Sequence, residues 1–231
     1  MFNQQNIFKN QTIPSRTEAS IFMNKVFGWM SAGLLVTALT ANWTVNNIGT
    51  IPGSWYFLLF FGQLFLVYKL SRNIMSMSIN TATGLFILYS ALTGVSISGI
   101  AFVYTSASLT STFLSTSIIF GLMAFYGMTT KTNLNSMGRF LIMGLFGIII
   151  SSIINIFIGS SIFQLAISAI GVLIFTGLTA YDTQKILQLY QGGDAYSESG
   201  QKKAVFGALT LYLDFINLFI FLLQFMGIKD E

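Results

Sequence analysis

Seven stretches of this chain are apolar over close to the ~20 residues that a helix needs to cross a hydrocarbon core. They fall at about residues 21–41, 53–70, 81–104, 110–128, 139–159, 162–181 and 204–226. Only 8% of the residues are charged and 54% are hydrophobic, against roughly a quarter charged in ordinary soluble domains. Lipid offers no hydrogen bonds to the backbone, so such stretches must form helices packed as one bundle. The alternating ten-residue pattern of a barrel is absent. The expected fold is an all-α integral membrane protein of seven transmembrane helices. A polar segment at 1–20 precedes a single membrane domain at 21–231.

The basic residues set an expected orientation. Lys9, Arg16 and Lys25 precede or open the first helix, and Lys69 and Arg72 close the second. Lys131 and Arg139 lie between the fourth and fifth, and Lys185, Lys202 and Lys203 between the sixth and seventh. All fall on one side; the opposite connections have no Lys or Arg, leaving Lys229 near the terminus there. The N-terminus is therefore expected in the cytoplasm and the C-terminus outside. This bias accounts for the net charge of +4 without a nucleic-acid partner. The first twenty residues lack the apolar core of a removable signal peptide, so the first helix is expected to act as its own insertion signal.

The chain has no cysteine and no histidine. That excludes disulfides, thiol chemistry, His- or Cys-ligated zinc and a Ser-His catalytic pair. No cofactor is expected. A response to pH near neutrality would have to come from groups other than imidazole.

Asp214 is then the residue to explain. It lies ~15 Å into the last apolar segment, about the midplane, with no basic side chain within 204–226. An ionisable group at that depth is a functional candidate by default. Thr210, Asn217 and Gln224 share its helical face. The alternative is a protonated structural acid bonded to a neighbouring helix. Asp182, in Thr179-Ala180-Tyr181-Asp182-Thr183-Gln184-Lys185, closes the preceding segment and is the candidate partner. It could instead cap a short helical extension over 183–190. On straight helices the two carboxyls differ in depth by ~10 Å or more.

Several stretches carry a family likeness. They are Tyr126-Gly127-Met128-Thr129-Thr130-Lys131 with 134–141, Ile153-Ile154-Asn155-Ile156-Phe157, Ala180 to Lys185, 208–219 (ALTLYLDFINLF) and 89–98 (YSALTGVSIS). In these the chain resembles the Bax inhibitor family of transmembrane proteins, particularly its bacterial members. The resemblance implies an inner-membrane bundle with the last helix central. It implies that Asp182 and Asp214 form a pH-responsive gate in a calcium leak, holding calcium weakly and transiently, and that Arg72 latches onto Asp182.

Two carboxylates within a few ångströms cannot both ionise cheaply and tend to share a proton. Calcium takes six to eight oxygens, of which two carboxylates supply at most four, so any binding would be weak. A pH-sensitive cation leak, not an enzyme, is the leading expectation. A second is a regulator that binds a membrane protease or stress-response partner. A third, an intramembrane aspartyl protease, lacks that group's Gly-x-Gly-Asp, since Leu211-Tyr212-Leu213 precedes Asp214. Trp29, Trp43, Trp55, Tyr56 and Tyr104 are expected at interfacial or packing positions, and Asn155 as a bridge between helices.

Overall fold

The computed structural model describes residues 16–190 and 195–230. Seven helices account for nearly all of them: α1 (Arg16–Asn47), α2 (Gly53–Asn73), α3 (Ile79–Ile97), α4 (Ser106–Thr129), α5 (Asn135–Ile158), α6 (Ser161–Tyr190) and α7 (Glu198–Met226). All seven are long and apolar enough to span a membrane, and the described residues contain no strand. Residues 1–15 of the expected polar segment lie outside the described residues, as do residues 191–194.

Hydropathy placed the seven helices but not their ends. The third span breaks earlier than expected, passing into a 3-10 turn over Ser98–Phe102. Hydroxyl side chains start three helices, with Ser78, Thr105 and Ser197 accepting from Thr81, Ser108 and Gly200 N–H. Such caps satisfy end donors that an apolar window cannot register. Gly159, at φ 68°, ends α5 in the left-handed conformation that glycine adopts most readily and turns the chain into α6.

The helices divide by what they face. α2 and α5 present Phe57, Phe61, Phe65, Phe140, Phe146 and Phe157 outward, an apolar surface suited to lipid and not to water. α7 packs against α1, α3, α4 and α6 and is the most buried of the seven. Trp43 and Trp55 are exposed, one near each end of the α1–α2 connection. Small residues let backbones approach. A Cβ on Gly127 would collide with the Ala180 carbonyl oxygen, and one on Gly138 would lie 2.6 Å from Tyr181 Cγ.

Among the described side chains, the basic residues other than Lys229 lie toward one end of the bundle. Lys25 Nζ donates to Ala195 O at 2.9 Å and lies 3.6 Å from the centre of the Tyr196 ring. Lys202 pairs with Glu198 at 2.8 Å and reaches Met75 O, just past α2, at 3.5 Å. At the opposite end, the residues after α7 are tied to the α3–α4 connection, Thr105 N donating to Ile228 O and Asp230 N to Val103 O.

Gln184 fastens α6 to the α4–α5 link at the basic end. Its Oε1 accepts from Leu134 N at 2.9 Å, and its Nε2 donates to Thr132 O at 2.8 Å. Gln184→Leu keeps the volume but leaves a buried backbone donor and an acceptor unpaired, each costing about 1 kcal/mol or more. Thermal unfolding in detergent should register a loss of about 2 kcal/mol, whereas an unshifted transition would mean that the link does not depend on this side chain.

Candidate functional site

α6 does not end at Asp182. The helix runs on without a break to Tyr190, so Asp182 lies two turns inside it and caps nothing. The apolar window stopped there because Asp182, Gln184 and Lys185 are polar, while the backbone continues as helix. Thr183 Oγ1 bonds back to Thr179 O at 2.7 Å, and Thr179 Oγ1 to Phe175 O at 2.8 Å. These buried hydroxyls therefore serve their own helix.

The packing of α6 on α7 resolves the depth discrepancy. Ile186 lies opposite Gly207, and Phe221 opposite Gly171. This antiparallel register sets Asp182 level with Thr210 and Leu211, about one helical turn (~5 Å) from Asp214. α7 begins at Glu198, well before the apolar window opens at residue 204, and projects past the end of α6. Helix ends are therefore a poor datum for depth here, and the ~10 Å gap of the straight-helix estimate is not present.

Asp214 is 4% exposed, and its Oδ2 is buried without a hydrogen-bond partner. Asp182 is half-buried. The two carboxyls are electrostatic neighbours, yet among the described residues neither takes part in a hydrogen bond, to the other or to any third group. The cation whose field reaches Asp182 is Lys185, one turn along the same helix. Arg72 is exposed at the end of α2 and makes no ion pair among the described residues. The structure thus brings Asp182 to Asp214 but does not bring Arg72 to Asp182. No third acidic side chain joins the pair among the described residues.

The expected polar stripe of α7 does not act as one surface. Thr210 and Asn217 bond back to Phe206 O and Leu213 O, leaving Asp214 as its one buried member. Gln224 accepts from Gln164 Nε2 at 3.0 Å and Ser168 Oγ at 3.2 Å, and Asn155 donates to Gln164 Oε1 at 3.0 Å. Asn155 bridges α5 to α6, as expected.

Two polar groups were missed by sequence reasoning. Tyr212 is fully buried, its hydroxyl 2.6 Å from Thr37 Oγ1, which in turn donates to Ser90 O at 2.9 Å. Gln63 Nε2 donates to Ser96 Oγ at 3.1 Å. A tyrosine or glutamine midway along an apolar segment requires a partner, and that requirement was the available signal. Beyond this network, toward the opposite end, α1, the end of α3 with its 3-10 turn, α4 and α7 line an open cavity of about 580 Å³ whose wall includes Thr37, Ala41, Leu109, Phe113, Phe215 and Phe219. Its wall thus includes Thr37 of that network and the neighbour of Asp214.

Seven helices long and apolar enough to span a membrane, the last of them carrying a buried carboxyl, define a multi-pass membrane protein. The family model described as "Inhibitor of apoptosis-promoting Bax1" matches residues 19–231, and the chain belongs to this family. It is 43% identical over 221 residues to "Inner membrane protein YbhL" of Escherichia coli K12, covering 93% of this chain and 94% of that protein. It is 47% identical to an uncharacterized protein of Borreliella burgdorferi (89% and 91% covered) and 40% identical to uncharacterized protein RP147 of Rickettsia prowazekii (91% and 90%). The YbhL relative and the seven spans identify a multi-pass protein of the bacterial inner membrane.

Proposed function

We propose that this protein is a pH-sensitive cation leak that passes calcium, with Asp182 and Asp214 as its gate and transient binding point. The observation that carries the reading is the buried Asp214 carboxyl, left without a hydrogen bond and facing a second acid one turn away. A structural acid would be expected to bond to its neighbours. A site for a mobile cation leaves its oxygens free. In this reading the basic end is cytoplasmic, and the cavity beyond Asp214 is an outer vestibule closed at Thr37, Tyr212 and Phe215.

Calcium needs its ligands deprotonated, so a gain of protons by the pair weakens binding. The two states of the gate then differ in how α6 and α7 meet. Engagement of Arg72 with Asp182 belongs to a second arrangement, reached by moving the end of α2. Hydrolysis is not part of the reading, because Leu211 and Tyr212, both fully buried beside Asp214, leave no room for a peptide substrate.

The test is flux of calcium, sodium and protons into vesicles holding the purified chain, measured across a pH series. Calcium entry above that of empty vesicles, changing with pH, supports the leak. Entry no faster than in empty vesicles at every pH would overturn it. The reading would then pass to a regulator, checked by a membrane protease or stress-response partner that copurifies after both aspartates are replaced.

A further inference from the structure

A second cavity, of about 260 Å³, opens at the basic end between the end of α2 and the paired helices α6 and α7. Ile74 and Ile186, 5% and 3% exposed, line its buried side, while Met75 and Leu189, 52% and 46% exposed, mark its mouth on the flank of the bundle. α2 packs chiefly against α3, which leaves this gap beside α6 and α7. Ser71 and Lys203 are its polar lining.

The two adjacent lysines of α7 are used differently. Lys202 is engaged by Glu198 at 2.8 Å and by Met75 O at 3.5 Å. Lys203 is half-buried in the cavity wall, with no acid paired to it among the described residues. A half-buried lysine with a serine across an apolar floor matches a phosphate attached to hydrocarbon. Arg72, exposed next to Ser71, adds positive charge near the mouth. A free phosphate would gain nothing from the apolar floor. An acyl chain alone would leave Lys203 unmatched.

We propose that this cavity binds an anionic glycerophospholipid from the leaflet around the basic end, its phosphate on Lys203 and Ser71 and its first methylenes against Ile74, Ile186 and Phe206. A lysine near an anionic membrane surface contributes enough to favour the charged lipid about fivefold. Native mass spectrometry of the full chain, offered equal amounts of phosphatidylglycerol and phosphatidylcholine, should show about that preference. Lys203→Gln brings the ratio close to one, Lys203→Arg restores it, and Lys202→Gln leaves most of it. Thermal unfolding of each variant separates a lost site from a lost fold. Equal retention of the two lipids by the native chain overturns the proposal. So does an equal loss in the Lys202 and Lys203 variants, or full displacement of phosphatidylglycerol by inorganic phosphate.

Discussion

Gly127→Ala is expected to destabilise the protein by about 3 kcal/mol, at the upper end of what overpacking by one methyl costs. Gly121→Ala, in the same helix, should stay within about 1 kcal/mol of the native chain. The added methyl at 127 would meet the carbonyl oxygen, carbonyl carbon and Cα of Ala180. These are backbone atoms of α6 and cannot rotate away, so relief requires α4 and α6 to separate. At 121 nothing lies within 4 Å of the added carbon. Both substitutions gain the same helix propensity, up to about 1 kcal/mol, so their difference isolates the packing term. Ala180 is two residues before Asp182, and separation there also shifts the acid relative to α7. Under the proposed leak, Gly127→Ala should accordingly alter calcium flux in whatever fraction remains folded. Thermal unfolding of the two variants in one detergent makes the comparison, and equal transitions would show that the α4–α6 contact yields without cost.

This contrast also shows what could be read from the chain and what could not. The number and order of the helices follow from apolar runs as long as the membrane is thick, a one-dimensional property. The acids of interest follow from the cost of ionisable groups in lipid, which needs no structure to estimate. Which glycines are indispensable does not follow. Gly121 and Gly127 read alike in sequence, and only the partner helix separates them. The relation of Asp182 to Asp214 was hidden for the same reason. Depth counted from helix ends assumes that the ends are level, whereas Ile186 against Gly207 fixes the register by local shape. Gln184 and Tyr212 illustrate a third limit. Each is ordinary as a residue and decisive through a partner far along the chain, Thr132 and Leu134 for one and Thr37 for the other.

Under the proposed leak, Asp214→Leu should raise stability and abolish calcium flux together. The native carboxyl takes an oxygen out of water with no hydrogen bond in return, and a buried polar atom left so costs about 1 kcal/mol or more. Leucine removes that cost at similar volume, so the unfolding transition should move up by about 1 kcal/mol or more. A stabilising replacement that costs activity is the trade-off expected where a destabilised group serves function. Asp214→Asn tests the chemistry separately, because it keeps the shape and loses the proton. A step limited by release of one proton changes up to about tenfold per pH unit, and this dependence should vanish in Asp214→Asn and in Asp182→Asn. The double variant should behave as either single one does, since coupled acids titrate as a unit and their effects do not add. Flux into calcium-indicator vesicles on either side of the transition measures all three. Unchanged pH profiles in both single variants, with Asp214→Leu less stable than the native chain, would make Asp214 a structural acid and remove the gate.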